Sequence, residues 1–180
     1  GSGQATSWKD PRSGISLEPT PLGLPTLPDN TRTWISGRVP FPAEHYESWD
    51  GKREPLAGCR GRPVLVNLWS RGCGPCLGEL GEWKSGHEAL AKAGLAILAL
   101  SVDEDAPQRA AAAKFAAALP FSSGLAVPEI VGAFETSSRA FLESRRPLPV
   151  PCSLLLDAGG QVAALYQGTV SPAQLLADVA

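Results

Sequence analysis

The chain has 180 residues with 16 basic and 18 acidic side chains, a formal net charge of −2. That balance leaves no electrostatic footprint for nucleic acid or an anionic membrane surface. A composition 43% hydrophobic and 19% charged reads as an ordinary soluble globular protein, one domain with a sizeable core plus extra arms.

Other exclusions follow. The longest apolar run, residues 94–102, is too short to cross a bilayer. Four cysteines are too sparse for a disulfide-built scaffold. The chain has no methionine and opens on Gly-Ser-Gly, which reads as an added scar on a processed or excised piece. The absence of a targeting segment therefore says nothing about export.

Residues 1–33 are rich in Pro, Gly, Ser and Thr, and read as a linker or surface arm that cannot pair inside a sheet. In "AEHYESWDGKREPL", Asp50–Gly51 signals a hairpin between two short strands. "RPVLVNLWS" is a continuous apolar run that predicts a strand buried on both faces. From Pro75 the period changes: Cys76, Leu80, Trp83, His87 and Leu90 recur at helical spacing, and Gly94 is placed to end the helix. "LAILALSV" predicts a second buried strand, "DAPQRAAAAKFAAAL" a helix, "FSSGLAV" a short strand and "PEIVGAFETSSRAFLES" another helix. After the interrupting "SRRPLPVP", "CSLLLD" and "QVAALYQG" form a hairpin across "AGG", and "SPAQLLADVA" closes as a helix capped by Ser171. A βαβ unit followed by a ββα unit predicts an α/β fold: a central mixed sheet flanked by helices, with an added N-terminal β-hairpin.

The chemistry concentrates at Cys73–Gly74–Pro75–Cys76. A structural zinc site needs four ligands, and here Cys59 and Cys152 stand alone while His45 and His87 are unpaired. A purely structural disulfide at this spacing closes a tiny ring and gains little loop-closure entropy. A redox pair fits the placement, because the cysteines follow a buried strand and open a helix. Cys73 then sits beside unpaired N–H groups and the positive end of the helix dipole, which favours its thiolate. Cys76, one turn further in, is the more buried and less acidic resolving thiol.

"VLVNLWSRGCGPC" resembles the active-site strand and helix start of the thioredoxin superfamily, with its nearest likeness in the TlpA/ResA-like bacterial thiol–disulfide oxidoreductases. The resemblance runs from about Val39 to the C-terminus, which sets residues 1–38 apart as an arm and 39–180 as a thioredoxin-like domain. "VPCSLLLDAGG" resembles the segment that carries the superfamily's cis-proline, here Pro151. The resemblance implies a redox disulfide Cys73–Cys76 and a buried acid at Glu79 that exchanges protons with Cys76. It also implies substrate contacts at Gly74, Pro75, Val150 and Trp69. Asn67 stands where many thioredoxins have a buried aspartate, and Glu79 is either the proton carrier in its place or a surface carboxylate. The chain departs from the pattern at Gly72 (usually tryptophan), Gly81 (commonly proline) and Cys152 (usually threonine). Cys152 is expected to be reduced, with its sulfur turned beneath the dithiol, and Cys59 to be a small buried hydrophobe. Arg145 and Arg146 read as a solvated corner.

The implied activity is reduction of protein disulfides. The implied partners are a disulfide-containing protein and an upstream thiol electron donor, with no nucleic acid and no membrane contact by the domain itself. No cofactor or metal is expected, and the domain is expected to be monomeric and, by resemblance, exported to the periplasm or beyond. Two other functions compete. A docking domain in a larger protein is allowed by the fold alone. A thiol peroxidase needs a Pro-x-x-x-Thr-x-x-Cys loop, which the chain lacks.

Overall fold

The computed structural model describes residues 31–56, 61–142 and 149–180, together with two short strands near the N-terminus. Those two, β1 (Trp8–Lys9) and β2 (Ser16–Leu17), pair antiparallel with each other. The other strands form one mixed sheet. They are β3 (Thr31–Pro40), β4 (His45–Glu47), β5 (Arg53–Pro55), β6 (Val64–Trp69), β7 (Ala96–Ser101), β8 (Ser122–Leu125), β9 (Cys152–Leu156) and β10 (Gln161–Gln167). Their order across the sheet is β3-β10-β9-β6-β7-β8-β4-β5. The helices are α1 (Gly74–Lys92), α2 (Ala106–Ala116), α3 (Pro128–Leu142) and α4 (Pro172–Val179).

All six residues of β6 are buried, because the strand lies mid-sheet with parallel β7 on one side and antiparallel β9 on the other. Covering on both faces is what permits an unbroken apolar run. Alternation then divides its side chains. Leu65 and Trp69 join Leu80, Trp83 and Leu155 in a core under α1, α2 and α4. Val66 and Leu68 join Leu98, Leu100 and Leu154 in a second core with Ile130 and Phe134 of α3. α1 buries one stripe, Cys76, Glu79, Leu80, Trp83 and Leu90, and stops at Gly94, whose φ of +80° suits a residue without Cβ.

The Asp50–Gly51 hairpin joins β4 and β5 at one sheet margin. β4 approaches β8 so closely that a Cβ on Gly124 would lie 2.4 Å from the Glu47 carbonyl oxygen. At the opposite margin β3 pairs antiparallel with β10 across a bulge near Val162. The expected boundary between an arm ending at 38 and a domain starting at 39 falls inside β3, so residues 31–38 extend the sheet. An edge strand tolerates this composition because only one of its sides needs a ladder. Arg32 of β3 also forms an ion pair with Asp178 of α4, which ties the margin to the last helix.

Candidate active site

β6 delivers the chain to the sheet's C-terminal end, and the turn to α1 presents the two cysteines. Cys73 is the N-cap of α1, in extended backbone, with Pro75 in the first turn. The Cys76 N–H donates to Cys73 Sγ at 3.2 Å, so the cap position is filled by sulfur where serine or aspartate would usually place oxygen. Cys73 and Cys76 are joined by a disulfide. Cys73 is half-buried, Gly74 and Pro75 are exposed, and Cys76 has no exposed surface.

Two further segments complete the rim. The Val150–Pro151 peptide is cis, and the Val150 carbonyl oxygen lies 3.6 Å from Cys73 Sγ. Gly168 N–H donates to the Pro151 carbonyl at 3.0 Å, holding this turn against the end of β10. Val150 is half-buried and Pro151 buried, so the backbone before the proline is what faces the sulfur. On the other side, Asp103 accepts from Ser70 Oγ at 2.7 Å and from the Arg71 N–H at 2.8 Å. Asp103 is itself fixed by Ser101 Oγ at 2.8 Å, and its carbonyl accepts from Arg109 Nε at 2.9 Å. The loop that leads into Cys73 is therefore anchored from β7 and α2. No motif singles out Asp103; its one local signal is an acid straight after a buried strand, in "SVDED".

Beneath the dithiol, Glu79 is only 3% exposed. It lies three residues from Cys76 on the same buried stripe of α1. Its Oε1 accepts from the Val170 N–H at 2.7 Å and its Oε2 from Asn67 Nδ2 at 3.3 Å. Burial disfavours its charge, and although these two hydrogen bonds oppose that, its pKa is pushed up to about 8. Val170 is pinned in turn, since its carbonyl accepts from Trp83 Nε1 at 2.8 Å.

Two expectations are corrected. Trp69 has no exposed surface and packs against Phe115 at 5.6 Å between ring centroids, so it underlies the site and cannot touch substrate. Cys152 is buried and free, but its side chain belongs to the α3-side core with Leu68 and Leu154, while Cys76 belongs to the α1-side core. The sulfur is across the sheet from the dithiol, because β9 puts Ser153, not Cys152, on the α1 face. Burial pushes the Cys152 thiol up to about 12, with the Glu79 charge adding a smaller push. His87 is half-buried against Phe121, 5.9 Å between centroids. Cys59, Arg145 and Arg146 lie outside the described residues. Among the described residues, no three His, Cys, Asp or Glu side chains are grouped to hold a metal.

A profile of the AhpC/TSA family matches residues 39–177, more than three-quarters of the chain. The chain belongs to the AhpC/TSA family. Within that family it is similar to the thiol-disulfide oxidoreductase ResA of Geobacillus kaustophilus, 27% identical over 121 residues, 67% of this chain and 63% of that protein. It is similar also to ResA of Bacillus subtilis, 25% identical over 129 residues, 72% of this chain and 66% of that protein. The chain thus spans a little under two-thirds of the length of the first of these relatives. Solved structures share the fold of this family member. One is a thioredoxin-family thiol:disulfide interchange protein from Chlorobium tepidum. It has a TM-score of 0.65 at 23% identity, over 81% of this chain and 96% of that one. Another is a secreted thiol-disulfide isomerase from Corynebacterium glutamicum. It has a TM-score of 0.64 at 22% identity, over 99% of this chain and 96% of that one. A thioredoxin-like mixed sheet flanked by helices is therefore the architecture of this AhpC/TSA member.

Proposed function

We propose that this domain is a thiol–disulfide oxidoreductase that reduces disulfides in protein substrates through Cys73 and Cys76. The carrying observation is the placement of Cys73 as the cap of α1, its sulfur accepting the Cys76 N–H at 3.2 Å. That hydrogen bond and the helix dipole both favour a thiolate, so Cys73 is the nucleophile in the reduced protein. Buried Cys76 is the resolving thiol.

The cycle balances. Cys73 thiolate attacks one sulfur of the substrate disulfide, forming a mixed disulfide and releasing the first substrate thiolate. Cys76 thiolate then attacks Cys73 Sγ, forming Cys73–Cys76 and releasing the second. Two electrons pass to the substrate, and a thiol donor must return them. Glu79 takes the Cys76 proton before the second attack. Burial lifts the Glu79 carboxyl to about 8, out of the ordinary carboxylate range and towards that of a thiol, so it can hold the proton that Cys76 gives up. The Val150 backbone, Gly74 and Pro75 frame the groove in which an extended substrate segment lies beside Cys73.

The relatives named ResA and the intact pair support this over peroxide reduction. Work outside the cytoplasm is part of the proposal, supported by structural neighbours described as secreted. The test is catalysis of insulin disulfide reduction by a dithiol donor. Turnover lost in Cys73→Ser is the expected result; consumption of hydrogen peroxide without insulin reduction overturns the reading.

A further inference from the structure

Glu79, Asn67 and Ser153 form a buried polar chain on the α1 side of the sheet, none more than 3% exposed. Asn67 Nδ2 donates in two directions, to Glu79 Oε2 at 3.3 Å and to Ser153 Oγ at 3.0 Å. Its other end is unused: Asn67 Oδ1 is buried and has no hydrogen-bond partner among the described residues. The two ends of a carboxamide have nearly the same shape, so a half-turn exchanges acceptor for donors at little steric cost. The orientation present suits a Glu79 carboxylate, which only accepts. It does not suit the protonated acid, whose O–H needs an acceptor. Glu79 Oε1 is already held by the Val170 N–H at 2.7 Å, so the proton belongs on Oε2, facing Asn67.

We propose that Asn67 is a positioning residue whose amide reverses when Glu79 takes up a proton, with Ser153 reversing its hydroxyl in step, so that one pair of side chains holds both forms of the acid. The proposal rests on Glu79 being the proton carrier for Cys76. With the carboxylate, Nδ2 donates to Glu79 and to Ser153, and Oδ1 is the orphan. With the acid, Oδ1 accepts from Glu79 Oε2–H and from Ser153 Oγ–H, and Nδ2 becomes the orphan. Each arrangement gives Asn67 two hydrogen bonds; the first leaves one buried acceptor unmatched and the second leaves the two N–H donors of Nδ2, so the proton on Glu79 must favour the second strongly enough to offset that difference. A hydroxyl both donates and accepts, so Ser153 follows either orientation without moving. The only transfer is of one proton, from Cys76 Sγ to the Glu79 carboxyl; no electron moves in this step.

The test follows the full oxidised chain by NMR from about pH 5 to about pH 10, with labelled glutamate carboxyls and asparagine side chains. As Glu79 loses its proton, both Asn67 side-chain N–H resonances should move downfield together, on the Glu79 titration curve. Asn67→Ala should leave the Glu79 midpoint within about half a pH unit, because acid and carboxylate each lose one partner. A fixed donor behaves differently: its removal strands the carboxylate alone and raises the midpoint by about 1–2 units. That rise, or amide resonances that stay still while Glu79 titrates, overturns the reversal and leaves the proton-carrier reading intact. A wild-type midpoint in the ordinary carboxyl range overturns both. If Asn67→Ala does not fold, the wild-type amide resonances decide alone.

Discussion

The two faces of the central sheet are built from the same strands and do opposite work. On the α1 face, β6 and β9 present Asn67 and Ser153 among large apolar neighbours, and α1 adds Glu79 and Cys76. On the α3 face the same two strands present Val66, Leu68, Cys152 and Leu154, packed on Ile130 and Phe134. One face carries a buried polar chain set in a hydrophobic wall; the other is packing. A difference of one residue along a strand decides which face a side chain joins. Identity as cysteine therefore does not put Cys152 on the face of the Cys73–Cys76 pair, while the unremarked serine next to it hydrogen-bonds Asn67 there.

The comparison can be broken most sharply at its active end. Cys73→Ser should reduce insulin-reductase turnover to background, and Cys76→Ser should accumulate a mixed disulfide visible by mass. Normal turnover in either variant removes the two-thiol mechanism.

The packing face should respond only in stability. Leu154→Ala should cost about 2–5 kcal/mol in urea unfolding, because a fully buried side chain leaves a cavity. Its turnover per folded molecule should match wild type; a large loss of kcat would mean the two faces are coupled.

Glu79 sets a pH signature specific to the α1 face. Its folded pKa, about 8, lies above the ordinary value of 4.5, so the native state keeps a proton that the unfolded chain releases. Stability from this group is complete below about pH 4.5 and falls as pH rises to about 8. Glu79→Gln keeps the shape without the titration. It should remove on the order of 2–4 kcal/mol of that loss between mildly acidic and alkaline buffer. Parallel pH–stability curves for the two proteins would return Glu79 to an ordinary carboxylate.

The smallest effect is expected at Cys152. Cys152→Ala removes only the sulfur from an apolar setting and should cost about 1–2 kcal/mol. The reduction potential of the Cys73–Cys76 pair should not change measurably. A clear shift would place the residue's influence on the dithiol after all.

Much of this was legible in the chain. The apolar run 64–69, the helical stripe from Cys76 to Leu90, the turn at Asp50–Gly51 and the capped last helix all signal themselves locally, since period and turn chemistry are properties of neighbouring residues. The dithiol was legible for the same reason: strand, two cysteines at fixed spacing and a helix start are consecutive. β3 was hidden, because its pairing with β10 depends on residues more than a hundred positions away, and its own composition reads as a linker.

Val170 and Ser153 were equally silent, and Asp103 showed itself only as an acid straight after a buried strand. Each reaches the site through a partner distant in sequence: Ser70 for Asp103, Glu79 for Val170, Asn67 for Ser153. The sequence by itself determined which sulfurs sit together and that an acid stands one turn beyond them, because helix geometry ties Cys73, Cys76 and Glu79 together within a few residues. Only the tertiary structure decided what that acid meets, which face Cys152 takes and which residues anchor the loop before Cys73, because burial and long-range pairing are made by strands that the chain brings together only on folding.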